Sequence, residues 1–245
     1  MPVVLYEKDG DGSVAIVTLN RPEVLNAYDV TMRDGLYECL EAVRDDPDVR
    51  VMVLQGNGRA FCTGGDIHEF GSAPSPVGAR EVRWRRDVWG TLWRLPKITL
   101  AAVHGVAVGG GFEMALLCDQ CIAATDARFA LPEVGLGMIP GVAGTQTAPR
   151  LVGLGRGVDV VVAARWLDAR TARRWGIAAK VVPPQRLRSE ALRYARRLAR
   201  LPSAAVAALK RAVNDGLDHS LVQGLDLEKR CERTLRDACR TAEMN

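Results

Sequence analysis

The chain has 245 residues, of which 48% are hydrophobic and 25% are charged, and its formal net charge is +4. These values are close to those of an ordinary globular protein and argue against an intrinsically disordered chain. Because the net charge is modest and acidic residues occur throughout the chain, no nucleic-acid partner is expected.

The N-terminal half begins with a predicted β-hairpin. Residues 3–8 and 13–19 are rich in apolar side chains and flank the turn sequence Asp9-Gly10-Asp11-Gly12. Apolar residues at helical spacing then predict a helix over residues 29–44, and a nearly continuous apolar run predicts a buried strand over residues 49–54.

The alternation of helix and strand continues through the middle of the chain. The pattern predicts a helix around residues 78–94, a strand over residues 98–103, a helix that opens at Gly109, and a short strand over residues 121–124. Strands that alternate with helices indicate an α/β layered core.

Arginine and tryptophan residues are concentrated between residues 80 and 94, a composition that also occurs in nucleic-acid-binding segments. Here the apolar residues Val82, Val88, Trp89 and Leu92 recur at near-helical spacing. The segment is therefore interpreted as one amphipathic helix with a basic, solvated face.

Helices dominate from about residue 154 onward. The chain is predicted to divide near residue 185 into an α/β core, residues 1–185, and a helical C-terminal region, residues 186–245. The first of these helices has one apolar face, formed by Leu187, Ala191, Tyr194 and Leu198. Ser203 is the predicted N-cap of the next helix, whose apolar stripe is Val206, Leu209 and Val213. A final helix is predicted over residues 220–240.

Membrane insertion, secretion and metal binding are not expected. The longest apolar stretch, Ile98 to Val108, is shorter than the roughly 20 residues of a transmembrane helix. The N-terminus does not resemble a signal peptide, which favours a cytoplasmic protein. Cys118 and Cys121 have the spacing of half a zinc site, but no second pair supplies the remaining ligands, so no metal site is predicted.

A glycine-rich segment follows the strand over residues 98–103. Gly109, Gly110 and Gly111 allow the backbone to approach a ligand closely, and the first N–H groups of the following helix have no intrahelical partner. A tight turn without a ligand is the alternative. The segment lacks the motifs of nucleoside-triphosphate and dinucleotide sites.

A second glycine turn, Gly64-Gly65, follows the strand that ends at Leu54. Two such turns, each after a core strand, could place one backbone N–H on either side of a carbonyl oxygen, as an oxyanion hole requires. Glu113 lies one helical turn beyond Gly110, and Glu133 lies in a loop rich in proline and glycine. The two carboxylates could flank one water molecule or one substrate carbon, although most glutamates are simply surface residues.

The order of several short motifs resembles that of the enoyl-CoA hydratase/isomerase (crotonase-like) family. The motifs are Asn20-Arg21-Pro22, Leu25-Asn26-Ala27, Phe61-Cys62 with Gly64-Gly65-Asp66, Ala102-Val103-His104-Gly105 with Gly109-Gly110-Gly111-Phe112-Glu113, Phe129 with Pro132-Glu133-Val134 and Leu136-Gly137, and Pro140-Gly141. The resemblance spans about residues 3–240 and is most specific from residue 54 to residue 155.

The resemblance implies a crotonase-like fold of repeated ββα units with a helical C-terminal region used for trimer assembly, as a homotrimer or a dimer of trimers. It further implies that the N–H groups of Gly65 and Gly110 hold the oxygen of an acyl-coenzyme A thioester. The positions that match the coenzyme A channel of the family are Val24, Ala27, Thr63, Gly65, Asp66, Ile67, His68 and Gly110.

Glu113 and Glu133 match the two acid/base glutamates of the hydratases of this family, whereas isomerases commonly keep only the second. The resemblance therefore implies hydration of an enoyl-CoA through an enolate, with coenzyme A as part of the substrate and no separate cofactor. An isomerase, a hydrolase or an enzyme of C–C bond chemistry is the first alternative. A non-catalytic coenzyme A-binding or scaffolding protein is the second.

The sequence also departs from the family pattern. Glu23 stands where many relatives have a basic residue, Ala143 replaces a glycine, and Thr147 replaces an arginine. Trp84, Trp89 and Trp93 fall in the segment that varies most among relatives and shapes the acyl pocket. The resemblance also implies a C-terminal region that is shortened relative to the family, and with Glu23 this predicts weaker binding of free coenzyme A unless a neighbouring subunit fills the gap.

Overall fold

The computed structural model describes residues 1–69, 72, 73 and 75–243, which form nine strands and ten α-helices. The strands are β1 Val4–Asp9, β2 Val14–Leu19, β3 Val51–Gly56, β4 Ile98–Val103, β5 Val106–Val108, β6 Gln120–Ala124, β7 Arg128–Ala130, β8 Leu167–Asp168 and β9 Lys180–Val182. The helices are α1 Val30–Asp45, α2 Pro76–Arg85, α3 Val88–Arg94, α4 Gly110–Leu117, α5 Gly144–Val152, α6 Leu154–Val161, α7 Ala169–Arg174, α8 Leu187–Ala199, α9 Ser203–Gly216 and α10 Leu221–Glu243.

Two sheets organise the α/β part of the chain. The larger sheet has the strand order β1-β2-β3-β4-β6-β9, and the smaller sheet has the order β5-β7-β8. Strands β1 and β2 form the predicted hairpin and pair antiparallel, whereas β2, β3, β4, β6 and β9 are parallel. All six residues of β2 are buried, as expected for a parallel strand covered on both faces.

The chain alternates between the two sheets in a repeated unit. A strand of the larger sheet is followed by a strand of the smaller sheet and then by a helix: first β4, β5 and α4, then β6, β7 and α5. This is the predicted ββα repeat of the crotonase-like fold. In the first repeat, the glycine turn Gly109–Gly111 lies where β5 is followed by the start of α4.

The larger sheet is packed on both faces. On one face, Ala15, Val17, Met52 and Leu54 pack in the main core, to which α1 and α4 also contribute. On the opposite face, side chains of β2, β3 and β4 pack against Ala191 and Ala195 of α8. The alternation of faces along each strand therefore gives the sheet two separate apolar surfaces.

Helix α8 packs on the larger sheet, although the predicted division at residue 185 assigns it to the C-terminal region. By packing, α8 belongs to the α/β core, and α9 and α10 form the helical pair beyond it. The division near residue 185 itself stays a prediction. Residues 244 and 245, which belong to the predicted short C-terminus, lie outside the described residues.

The segment predicted as one helix over residues 78–94 consists of two helices, α2 and α3. Asp87 separates the two helices. Its Oδ1 accepts a hydrogen bond of 3.0 Å from the backbone N–H of Gly90 and so caps the start of α3. Val88 and Leu92 are buried as the apolar pattern predicts. The side chain of Val82 lies outside the described residues.

The prediction that Ser203 caps α9 is wrong. Pro202 holds the N-cap position without a side-chain hydrogen bond, and Ser203 is the first residue of the helix. The apolar stripe of this helix is not buried within the chain, since 65% of Leu209 and 62% of Val213 are exposed.

No helix in the described part of the chain is long and apolar enough to cross a membrane.

Candidate active site

The two predicted glycine turns lie side by side. Cys62, which precedes the first turn, pairs with β5 through two backbone hydrogen bonds: its N–H donates to Val106 O at 3.2 Å, and its carbonyl accepts from Val108 N–H at 3.0 Å. Because Val108 precedes the second turn, this short parallel bridge carries both turns to the same edge of the smaller sheet.

Glycine is required at Gly64 by its backbone and by the space around it. Its φ of +93° lies in a region that other residues rarely adopt, and a Cβ atom there would lie 3.0 Å from Val108 O and 3.1 Å from Gly110 N. A larger residue would force the two turns apart. The structure therefore brings together the two turns that the sequence places 45 residues apart.

The backbone N–H groups of Gly65 and Gly110 are the predicted oxyanion donors. Residues 28 and 65 form a short parallel bridge, in which the Tyr28 N–H donates to Gly64 O at 2.8 Å and the Asp66 N–H donates to Tyr28 O at 2.9 Å. Successive N–H groups of an extended chain point to opposite sides, so the Gly65 N–H points away from Tyr28. Gly110 lies at the start of α4, where a helical N–H has no intrahelical partner.

Both glycines line one cavity of about 1150 Å³. Its walls come from the two glycine turns, from α3 and from the loop before α5, and residues of α9 close one side. The lining includes Thr63, Gly65, Ile67, Gly110, Glu113, Glu133, Tyr28, Arg33, Trp84, Trp89, Trp93, Asn214 and Leu217. The tryptophans that the sequence assigns to the acyl pocket thus lie in the same cavity as the two glutamates.

Glu113 is a buried carboxylate held by backbone N–H groups. Only 1% of the residue is exposed, and its Oε1 accepts hydrogen bonds from Val142, Ala143 and Gly144 at 2.9, 2.8 and 2.6 Å. Gly144 begins α5, so the carboxylate also lies at the positive end of that helix. These contacts fix the carboxyl group in one orientation. Glu113 also lines the cavity.

Glu133 lies on a short 3-10 turn, Glu133–Leu136, and its carboxyl group faces the second glycine turn. A Cβ atom at Gly109 would lie only 3.0 Å from Glu133 Oε1. Within the described residues, the buried Oε2 atom has no hydrogen-bond partner. Burial raises the pKa of Glu133 above its ordinary value, and the nearby charge of Glu113 raises this pKa further.

The two carboxyl groups therefore differ in environment although they line the same cavity. One accepts three charge-assisted hydrogen bonds, and the other lacks a partner for one oxygen in the part of the chain that the structure describes. Paired carboxyl groups with unlike environments are a recurrent arrangement in acid/base sites. The arrangement is suited to holding a water molecule and to transferring a proton.

Four of the eight predicted coenzyme A positions line the cavity: Thr63, Gly65, Ile67 and Gly110. Val24 and Ala27 lie on the neighbouring loop, which contacts the first glycine turn through a hydrogen bond of 3.4 Å from Thr63 Oγ1 to Leu25 O. Val24 and Ala27 are not among the residues that line the cavity, and this hydrogen bond connects their loop to its edge.

The other two positions, Asp66 and His68, lie beside the cavity and are not among its lining residues. The Asp66 carboxylate pairs with Arg21 at 3.2 Å and accepts a hydrogen bond of 3.1 Å from the His68 N–H. Arg21 also pairs with Asp29 at 3.2 Å and donates to Ala27 O at 2.7 Å. Through Arg21, Asp66 thus links the two loops. A contact between Asp66 and coenzyme A stays a prediction.

Some residues of the cavity lie outside the motifs that the sequence displays. The N–H groups that hold Glu113 come from residues 29 to 31 positions away, and no local pattern marks them. Asn214 of α9 and Leu217, which directly follows that helix, reach the cavity across the predicted division of the chain. Tyr28 was also missed, although an aromatic residue directly after the Leu25-Asn26-Ala27 motif is a signal in the sequence.

Cys118 and Cys121, the pair with zinc-like spacing, are free thiols buried in the core. Burial raises the pKa of Cys118 to about 12. Among the described residues, no group of three or more His, Cys, Asp or Glu side chains is placed to hold a metal ion.

Comparison with known proteins identifies the class to which this fold and site belong. A model of the enoyl-CoA hydratase/isomerase family matches residues 9–241. The chain is 37% identical to a probable enoyl-CoA hydratase of Rhizobium meliloti, over 91% of this chain and 86% of that protein. It is 36% identical to 1,2-epoxyphenylacetyl-CoA isomerase of Escherichia coli, over 90% of this chain and 86% of that protein.

A solved structure gives the same result. The crystal structure of an enoyl-CoA hydratase subunit from Geobacillus kaustophilus is similar to this one with a TM-score of 0.88 at 36% identity, over 96% of this chain and 90% of that chain. The chain belongs to the enoyl-CoA hydratase/isomerase family. It has the crotonase fold and is an enzyme of that superfamily.

Proposed function

We propose that this protein is an enoyl-CoA hydratase that adds water across the α,β double bond of an acyl-CoA thioester. The observation that carries the proposal is the pair of carboxyl groups, Glu113 and Glu133, which line one cavity beside the glycine turns. An isomerase needs one acid/base group at this place, whereas hydration requires that a water molecule be held and deprotonated while a proton is delivered elsewhere.

The proposed reaction begins with the thioester oxygen between the N–H groups of Gly65 and Gly110. Glu113 holds the water molecule and accepts its proton, and the water oxygen forms a bond to the β-carbon. The π electrons of the double bond move toward the thioester and form an enolate, whose oxygen the two N–H groups stabilise. One such donor contributes roughly 3 kcal/mol in oxyanion holes.

Glu133 completes the reaction by delivering a proton to the α-carbon. Its raised pKa is suited to this role because a carboxyl group with a raised pKa holds its proton closer to neutral pH. The proton that Glu113 accepts returns to Glu133 through solvent, so the net change is the addition of one water molecule. No redox step and no separate cofactor are involved, since coenzyme A enters with the substrate.

The direct test is incubation of the purified protein with crotonyl-CoA and with longer, cyclic and aromatic enoyl-CoAs, with loss of the conjugated-thioester absorbance as the signal. Hydration of at least one member of the series is the expected result. Formation of an isomer, of free coenzyme A or of a C–C cleavage product would favour the alternative reactions. Tight binding without turnover of any thioester would favour a non-catalytic protein.

We further propose assembly as a homotrimer or a dimer of trimers. The support is an apolar surface on α9, on α10 and on the turn between them that the chain leaves uncovered: Leu209, Val213, Leu217, Leu221 and Val222 are each more than 60% exposed. Apolar surfaces of this kind mark protein–protein contacts. Light scattering of the purified protein would give the mass of three or six chains, and a monomer at micromolar concentration would refute the proposal.

A further inference from the structure

The side chain of Tyr28 lies against the second glycine turn and has no role in the mechanism above. We infer that its hydroxyl group is a third donor to the thioester oxygen, beside the N–H groups of Gly65 and Gly110. This inference rests on the proposed function, because it concerns the oxygen that the function places there.

The contact between Tyr28 and Gly110 is close. A Cβ atom at Gly110 would lie 2.2 Å from the Tyr28 hydroxyl oxygen and 2.7 Å from its Cε1 atom. The hydroxyl group and the ring edge therefore fill the space beside the Cα atom of Gly110. That Cα is bonded to the nitrogen of the predicted oxyanion donor, and our inference therefore places the thioester oxygen within reach of the hydroxyl group.

The ring and the backbone of Tyr28 are both fixed. Its ring contacts that of Trp89 at a centroid distance of 5.2 Å with an interplanar angle of 60°. Its backbone N–H donates to Gly64 O at 2.8 Å, and its carbonyl accepts from the Asp66 N–H at 2.9 Å. Tyr28 thus forms hydrogen bonds with the first glycine turn through its backbone and contacts the second turn through its side chain.

The hydroxyl group is available as a donor. Tyr28 lines the cavity, and its side chain makes no hydrogen bond to any other described residue. Burial raises the pKa of the Tyr28 hydroxyl, and the proximity of Cys62 and Glu113 raises this pKa further. The hydroxyl group therefore keeps its proton at neutral pH. A hydroxyl group at the wall of a cavity without a protein partner is stabilised when the substrate supplies a hydrogen-bond acceptor.

The function of a third donor follows from the charge that develops on the thioester oxygen. Negative charge grows on this oxygen as the enolate forms, so a fixed hydroxyl group stabilises the transition state more than the bound substrate. Loss of the hydroxyl group should then lower kcat and leave KM nearly unchanged.

The test compares Tyr28→Phe with Tyr37→Phe. The first change removes only the hydroxyl oxygen and keeps the ring against Trp89. The second makes the same change at a tyrosine that packs against the core and is not among the residues that line the cavity. Tyr28→Phe should lower kcat by roughly 10²-fold, the effect of removing one oxyanion donor, while Tyr37→Phe should keep the wild-type value.

A second measurement separates a donor from a residue that only supports the structure. Infrared difference spectra of bound butyryl-CoA, labelled with carbon-13 at the carbonyl, report how strongly the thioester carbonyl is polarised. The carbonyl band should shift less in Tyr28→Phe than in the wild type and in Tyr37→Phe, with the unfolding temperatures of all three proteins close together.

The outcomes distinguish this inference from the proposed function. If the wild type hydrates enoyl-CoAs and Tyr28→Phe keeps both its kcat and its carbonyl shift, the third donor is refuted and the hydratase stands. If Tyr28→Phe loses activity only through a higher KM, with the carbonyl shift unchanged, the donor role is also refuted. If the wild type neither binds nor hydrates a thioester, the function and this inference both fail.

Discussion

Glu113 and Glu133 line the same cavity, but the parts of the chain that carry them differ in almost every physical respect. Glu113 lies on α4, whose eight residues are all buried, and three N–H groups hold its carboxylate. Glu133 lies on a short turn whose neighbours Val134 and Leu136 are 48% and 63% exposed. The fold thus provides one carboxyl group in a fixed position and one on the wall of the cavity.

One residue type thus serves two roles in this cavity. A carboxylate that accepts several N–H donors is stabilised as an anion and stabilises the fold in return. A carboxyl group buried without a partner destabilises the fold when it is ionised, and such groups persist mainly where a reaction uses them. The two glutamates should therefore respond alike to substitution in activity and in opposite ways in stability.

The largest expected effect is on activity. Glu113→Gln and Glu133→Gln should each lower the hydration rate by roughly 10²-fold or more, because each removes an acid/base group. Steady-state kinetics on the best substrate would measure this. Glu228→Gln, on the exposed surface of α10, is the matched control and should have no effect. A Glu113→Gln variant that hydrates normally would show that the second carboxylate is not needed.

A smaller effect is expected on the stability of Glu113→Gln. The amide keeps an acceptor oxygen for the N–H groups of residues 142–144 but loses the negative charge. We expect the free energy of unfolding to fall by about 1–2 kcal/mol, the difference between charge-assisted and neutral hydrogen bonds at a buried site. Urea denaturation at pH 7 measures it. An unchanged midpoint would mean that the three N–H groups do not depend on the charge.

The smallest effect, of opposite sign, is expected for Glu133→Gln. The folded-state pKa of Glu133 is raised, so the cost of its ionised form is absent below the ordinary pKa of 4.5 and develops as the pH rises through the folded-state value. Removing the charge should therefore increase the free energy of unfolding at pH 7 to 8, by less than Glu113→Gln decreases it. Denaturation curves at several pH values would test this, and a gain that persists below pH 4 would contradict the reason given.

The fold was predictable from the sequence where one pattern dominates locally. The apolar-rich run of β2 and the glycines at the start of α4 are strong local signals, for a strand and for a turn before a helix, and the structure has both. The helix over residues 78–94 was not predictable in detail, because Asp87 fits the polar face of a continuous helix as well as it fits an N-cap.

The candidate site was predictable where its members occur in short motifs. Gly65, Gly110, Glu113 and Glu133 are all brought to one cavity. The contacts that give these residues their properties were not predictable, because they are made by distant parts of the chain. Residues 142–144 hold Glu113, and Tyr28 reaches Gly110 from a loop more than 80 positions earlier in the chain.

The most direct test of the two-carboxylate hydration is the source of the oxygen atom in the product. The protein would be incubated with its best enoyl-CoA in water enriched in oxygen-18, and the product would be analysed by mass spectrometry. Two-carboxylate hydration should give a 3-hydroxyacyl-CoA that carries one oxygen-18 atom in its hydroxyl group, and Glu113→Gln and Glu133→Gln should greatly slow its formation. A product of unchanged composition, in which only the double bond has moved, would contradict the account and identify the enzyme as an isomerase.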